Sequence, residues 1–160
     1  MVASAFAQGA PAGADPVEVT LLDALRAGAE WLAPLSLVAV DGDDIVGHVV
    51  CSRAWVDDGP ASAPVLGLGP IAVVHDRQRA GIGRALMHAV LGAADALDEP
   101  LVALLGDPAY YERFGFEIST NFGIEPSDPS WGVHFQVRTL AAYDPTITGT
   151  FRYAAPFIGL

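Results

Sequence analysis

The stretch "IAVVHDRQRAGIGRAL", residues 71–86, decides the fold of this 160-residue chain. An apolar run ends at Val74, glycines follow at Gly81 and Gly83, and apolar residues then recur at helical spacing. A buried strand, a glycine-rich turn and a helix in this order can hold phosphates, because backbone N–H groups and the positive helix N-terminus point into the turn. Two glycines alone are more often explained by a tight turn without a ligand.

Arginine residues make the ligand-free turn the weaker explanation. The chain has 8 basic residues, all arginine, against 19 acidic ones, which gives a net charge of −11. Arg77, Arg79 and Arg84 all fall within residues 77–86, so the scarce positive charge is concentrated where an anion would bind. The overall acidity argues against nucleic acid or an anionic membrane surface as a partner.

The remaining composition limits the class of protein. The single cysteine, Cys51, excludes an internal disulfide framework and indicates a reducing compartment, so we expect a cytoplasmic protein. The start lacks the basic segment and long apolar core of a signal peptide, and no window has the roughly 18 uninterrupted apolar residues of a membrane helix. We expect one domain over residues 1–160, with an atypical start (1–14) and a C-terminal tail (141–160).

Hydrophobic periodicity predicts strands and helices along the whole chain. A capping pattern that begins at Asp15 starts a helix over residues 15–28, and Leu21, Leu22 and Leu25 are expected on its buried side. The predicted strands cover residues 34–40, 45–56, 63–74, 100–106, 115–119 and 133–140. The first two form a hairpin, and the third, which is apolar almost throughout, is expected at the centre of the sheet.

Two further helices complete the predicted order. The longer one covers residues 80–97, and a single apolar stripe runs along it at Ile82, Leu86, Val90, Ala93 and Leu97. The shorter one, residues 107–114, opens with an aspartate cap and a proline. Pro70 follows the glycines of the predicted central strand. Because proline has no N–H to donate to a neighbouring strand, we predict a bulge there.

Two motifs resemble the GNAT superfamily of N-acetyltransferases. "QRAGIG", residues 78–83, is similar to its Q/R-x-x-G-x-G/A motif, and "GDPAYYERFGFE", residues 106–117, resembles its tyrosine-bearing short helix and the strand start that follows. The order of elements also matches over roughly residues 15–140, and the YhbS-type branch is the most similar. The resemblance implies an α/β (α+β) fold with a mostly antiparallel sheet, helices on both faces and a strand splayed after Pro70. The usual first strand of the family is not visible before Asp15.

The resemblance also implies a reaction and a donor site. In this superfamily a primary amine attacks the thioester of acetyl-coenzyme A directly. Backbone groups of Ile71, Ala72 and Val73 would bind the pantetheine arm, and one N–H would hold the developing oxyanion. The pyrophosphate would lie in the turn formed by Gln78, Arg79, Ala80, Gly81, Ile82, Gly83 and Arg84. Arg77 is left to solvent.

Tyr111, four residues before Gly115, matches the family's general acid, which protonates the leaving thiolate and so also contacts the cofactor. Packing of Tyr110 and Tyr111 against the sheet is the structural alternative, and we expect one tyrosine in each role. His48 is a candidate general base and Glu30 a candidate contact for a cationic amine, and deprotonation through water or by another residue stays open. Cys51 is read as a core residue, and no histidine has metal-ligand spacing, so no metal is expected.

The predicted function is therefore an acetyl-coenzyme A-dependent N-acetyltransferase that acts on a small-molecule or peptide amine. A non-catalytic acyl-coenzyme A sensor or assembly module is the alternative, because the strand glutamate of some family members is absent. The sequence does not identify the acceptor. A sheet edge left open by a missing first strand would allow two chains to pair.

Overall fold

One mixed sheet organises the computed structural model, which describes residues 17–158. Its strands are β1 (Ser36–Asp41), β2 (Asp44–Asp58), β3 (Ala61–Val73), β4 (Leu101–Leu105), β5 (Glu117–Ile118), β6 (Ile124–Glu125), β7 (Phe135–Thr139) and β8 (Gly149–Arg152). The α-helices of this part are α1 (Val17–Ala27), α2 (Ile82–Ala96) and α3 (Pro108–Tyr111). None of the helices described combines the length and apolar character that a membrane crossing requires.

The strand order confirms the predicted fold class. The strands run β5-β7-β4-β3-β2-β8-β6, with β1 also paired to β2, so β3 is the central strand as expected. Among the strands of residues 17–158, only the β3–β4 and β6–β8 pairs are parallel. The hairpin of β1 and β2 turns at Gly42, whose φ of 63° is a left-handed conformation that glycine adopts without steric cost.

The predicted bulge in β3 lies at Pro70. Val49 is opposite Ile71 and Cys51 is opposite Leu68, so two residues of β3 face one residue of β2. On its other side β3 pairs with β4 only at Leu66–Val102 and Gly67–Ala103. Beyond those two pairs the strands separate, which leaves the last six residues of β3, 68–73, splayed from its parallel neighbour.

Helices cover both faces of the sheet, because neighbouring residues of a strand point to opposite sides. Val49 and Cys51 pack in the same core cluster as α2, whereas Val50, between them, packs against α1. The predicted leucines of α1, Leu21, Leu22 and Leu25, are buried. The two helices therefore reach the splayed end of β3 from opposite faces.

The structure corrects two details of the sequence interpretation. Leu97 ends α2 and is 49% exposed, because the chain leaves the helix there and turns away from the core, where Leu91 and Ala94 lie instead. The predicted C-terminal tail contains a strand, β8, whose Phe151 is fully buried. The four residues of β8 are too few to show a strand periodicity in the sequence, and they become a strand by pairing with β2. The predicted cap at Asp15 and the segment before it lie outside the described residues.

Candidate active site

The predicted basic turn borders a depression beside the splayed end of β3. Its walls are Ile71–Val73, the turn residues Arg77, Gln78, Arg79 and Gly81, the start of α2 at Gly83 and Arg84, and the side chains of Tyr110 and Arg113. This depression, the arginine groove, has a volume of about 560 Å³. Half of the eight arginines of the chain line it.

The register of β3 determines which backbone groups face the groove. Hydrogen-bonded pairs alternate with non-bonded pairs along antiparallel strands. The Val74 N–H donates to the Val46 carbonyl at 3.0 Å, so Ala72, two residues earlier, also bonds β2. The backbone groups of Ile71 and Val73 therefore point away from β2, toward the gap that β4 leaves open. The Ile71 backbone groups and the Val73 N–H have no partner in these strand pairs and can bind a ligand that extends along β3, whereas the Val73 carbonyl accepts a hydrogen bond from the Gln78 side chain.

The turn after β3 leaves helix amides open to the groove. Gly81 caps α2 with a φ of 84°, and a Cβ built at this position meets no atom within 4 Å. The first N–H groups of any helix have no partner within the helix. No side chain caps the start of this 15-residue helix, so these N–H groups stay open to the groove. An anion would find both hydrogen-bond donors and the positive helix end there.

The arginines of the groove differ in their partners. Arg77 forms an ion pair with Asp41 of the β1–β2 hairpin, so it is not simply solvated as the sequence interpretation had it. Arg79, Arg84 and Arg113 have no carboxylate within ion-pair distance among residues 17–158. These three guanidinium groups make the groove positive on an otherwise acidic protein.

Three predicted donor-site residues do not contribute side chains to this groove. Ala80 is exposed in the turn, and the Ile82 side chain packs toward β2, close to Gly47. Tyr111 points elsewhere, as described below. The Gln78 side chain lines the groove but donates to the Val73 carbonyl at 3.1 Å, which ties the turn to the strand.

Sequence reasoning missed two groove residues, Tyr110 and Arg113. They lie three positions apart on the short helical segment that follows β4, so they share one face. The Arg113 Cζ lies over the Tyr110 ring, 4.8 Å from its centre. A Cβ at Gly83 would lie 3.5 Å from the Tyr110 hydroxyl. The helix cap at Asp107 was recognised in the sequence, and helical spacing counted from that cap could have predicted that Tyr110 and Arg113 lie on one face.

A second depression opens on the α1 side of the splay. Its walls are Glu18 and Leu21 of α1, residues 68–71 of β3, Leu104 and Leu105 of β4, and the rings of Tyr111, Trp131, Tyr153 and Phe157. This apolar cleft has a volume of about 470 Å³. Ile71 borders both the cleft and the arginine groove. A molecule in the groove and one in the cleft would therefore meet at Ile71.

Tyr111 is held at this junction by local packing. Its ring lies against Gly106, where any Cβ would overlap it, and meets the Tyr110 and Phe116 rings edge-on at 4.9 and 5.9 Å. Asp107 caps α3 by accepting a hydrogen bond from the Ala109 N–H at 3.0 Å. Burial, with a smaller effect of Tyr110, raises the pKa of the Tyr111 hydroxyl, which stays protonated at neutral pH and can donate a proton.

The two guessed bases do not line the cleft. His48 is buried between the sheet and α1, with Nε2 3.2 Å from the Ser36 hydroxyl, and burial together with Arg26 lowers its pKa. Glu30 lies after the end of α1, and the carboxylate of this helix that reaches the cleft is Glu18, in its first turn. Cys51 is a buried core residue as predicted, and its burial raises the pKa of its thiol. The described residues hold no cluster of three or more histidine, cysteine or carboxylate side chains arranged for a metal ion.

Comparison with known proteins identifies the family of this chain. The family model of the acetyltransferase (GNAT) domain matches residues 34–118. The uncharacterized N-acetyltransferase YhbS of Escherichia coli (strain K12) is 33% identical over 108 residues, which is 67% of this chain and 64% of the length of YhbS.

Two crystal structures share the fold. The Escherichia coli YhbS structure in complex with CoA has a TM-score of 0.79 and 30% identity, and the match covers 88% of this chain and 77% of that one. A GNAT family acetyltransferase from Brucella melitensis in complex with acetyl-CoA has a TM-score of 0.74 and 31% identity, over 97% of this chain and 86% of that one. By sequence and by structure, this chain belongs to the GNAT family of acetyltransferases.

Proposed function

We propose that this protein transfers the acetyl group of acetyl-coenzyme A to a primary amine by direct attack within a ternary complex. The observation that carries the proposal is the meeting of the arginine groove and the apolar cleft at Ile71, beside Tyr111. One depression is suited to an elongated diphosphate and the other to a second substrate. Two related proteins of the family were crystallised with CoA or acetyl-CoA, which supports the identity of the donor.

The residues of the groove fit such a donor. The open amides at the start of α2 would bind the pyrophosphate, with Arg79 and Arg84 beside it, and Arg113 adds positive charge at the opposite wall. The backbone groups of Ile71 and Val73 would bind the pantetheine arm in the manner of an added strand. Ala72 remains bonded to β2.

Acetyl-coenzyme A supplies an acetyl group activated as a thioester. A backbone N–H at Ile71 or Val73 would stabilise the negative charge that develops on the carbonyl oxygen. As the new C–N bond forms and the C–S bond breaks, Tyr111 would donate its hydroxyl proton to the sulfur. A primary amine that arrives as an ammonium ion loses one proton to solvent before it attacks and a second as the amide forms, and Tyr111 takes one proton back from solvent, so atoms and charges balance.

The non-catalytic sensor stays as the second candidate, because neither His48 nor Glu30 lines the cleft as a base. Calorimetry with acetyl-coenzyme A tests the donor site of both candidates, and absence of heat at saturating ligand would contradict both. Thiol release in the presence of amines then separates them. An enzyme gives amine-dependent release of free coenzyme A, whereas a sensor binds the donor without turnover.

A further inference from the structure

The apolar cleft has an unusually aromatic wall for a site that must admit an amine. Four rings line it, those of Tyr111, Trp131, Tyr153 and Phe157. The last three lie beyond residue 118, where the match to the family model ends. They therefore lie outside the part of the chain that the family model matches.

Three of these rings are held in place by one another. The Tyr153 and Phe157 rings are stacked with centroids 4.7 Å apart and planes 29° apart, and the Trp131 ring meets Tyr153 edge-on at 5.9 Å. Tyr153 also lies against Gly67, where a Cβ would come within 3.0 Å of its ring. A wall fixed in this way loses little conformational entropy when a flat ligand packs on it.

The charge of the cleft is equally restricted. Glu18 is the single charged side chain among the described residues that line it, and the other walls are aliphatic or aromatic. One carboxylate can attract one ammonium group. A polyamine or an aminoglycoside would place further charges or hydroxyls against Leu21, Leu68 and Leu104, where burial without partners is unfavourable.

We propose that the acceptor is a small primary amine that carries an aromatic group, with its ring packed against Trp131, Tyr153 and Phe157 and its cationic form drawn in by Glu18. This proposal rests on the acetyltransferase function above and names its substrate class. The volume of about 470 Å³ lies within the usual range of small-molecule sites.

The test compares amines at saturating acetyl-coenzyme A, with release of free thiol as the readout. The probes are 2-phenylethylamine and tryptamine, and the comparators are n-butylamine and spermidine. We expect kcat/KM for the aryl amines to exceed that of both comparators by about tenfold or more, since aryl packing adds to simple apolar burial. Equal or faster turnover of spermidine or n-butylamine would overturn the substrate class and leave the acetyltransferase function standing.

Binding separates this inference from the proposed function. Calorimetry of 2-phenylethylamine with the protein saturated by coenzyme A measures binding of the amine to the cleft without any turnover. Binding of the aryl amine that is tighter than that of n-butylamine supports the inference even for a protein that releases no thiol. Absence of aryl amine binding, in a protein that binds acetyl-coenzyme A, overturns it.

Two variants test the walls, and the second has a matched control. Phe157→Leu keeps an apolar side chain and removes the flat ring, so KM for 2-phenylethylamine should rise about fivefold while the Kd of acetyl-coenzyme A is unchanged. Glu18→Gln should lower kcat/KM for the aryl amines about fivefold. Asp23→Asn removes the same charge from the exposed side of α1, and it should have no comparable effect. Equal effects of the two charge changes would overturn the role of Glu18.

Discussion

The arginine groove and the apolar cleft meet at Ile71, yet they are built in different ways. The groove consists largely of main-chain groups and arginines from one continuous stretch, residues 71–84. The cleft consists of side chains that come from α1, β3, β4, α3 and the C-terminal segment. The proposed cofactor site can thus be recognised from a local motif, whereas the proposed site for the second substrate depends on residues that are far apart in the chain.

The adjacent tyrosines give the sharpest test of this difference, because they point to opposite sides of the junction. Tyr111→Phe removes the proposed proton donor, so kcat should fall by about 100-fold with the acetyl-coenzyme A Kd nearly unchanged. Tyr110→Phe removes a hydroxyl from the groove side, so it should affect donor affinity more than kcat. Steady-state kinetics and calorimetry on both variants measure the two effects. Full turnover of Tyr111→Phe would remove this residue from its role.

The charge of the groove is tested by Arg84→Gln. Loss of a charge-assisted contact to a phosphate should raise the Kd of acetyl-coenzyme A about tenfold at low salt, and less at high salt, where screening weakens the native contact. Arg152→Gln is the matched control, because Arg152 of β8 pairs with Asp57 of β2 and does not line the groove. Calorimetry at two salt concentrations reads the difference. Similar losses in both variants would show a general charge effect instead of a binding site.

Gly81→Ala tests whether the backbone of the turn forms the site. A side chain at φ 84° is strained, so the variant should lose about 1 kcal/mol of stability and bind acetyl-coenzyme A several-fold more weakly. Gly92→Ala, within α2, has open space around its Cβ and should be neutral or slightly stabilising. Chemical denaturation and calorimetry measure both properties. Unchanged affinity in Gly81→Ala would argue against phosphate binding at this turn.

The smallest expected effect is on the pH profile of kcat. Because burial raises the pKa of Tyr111 above the ordinary value of about 10, its protonated form persists to higher pH than that of an exposed tyrosine. A general acid acts only while protonated, so the alkaline decline of kcat should be centred at higher pH than the pKa of an exposed tyrosine. Rates measured from pH 7 to 10.5 with saturating amine test this. A decline centred near pH 8 would require another acid.

The fold was predictable wherever local patterns and tertiary packing agree. The bulge at Pro70 follows from the missing N–H of proline, and the buried leucines of α1 follow from helical spacing. The strand β8 was not predicted, since four residues of mixed character become a strand only by pairing with β2. Leu97 was placed on the buried stripe because periodicity continues past the point at which the helix ends.

The sequence by itself determined the family and the glycine-rich, basic turn after β3, because the glycines, the helix start and the arginines lie within a few neighbouring residues. Only the tertiary structure decided which tyrosine faces the cleft, that Glu18 and not Glu30 reaches it, and that three C-terminal rings form its wall. Those positions depend on how α1 and the end of the chain pack over the splayed sheet. No spacing along the chain encodes contacts between segments so far apart.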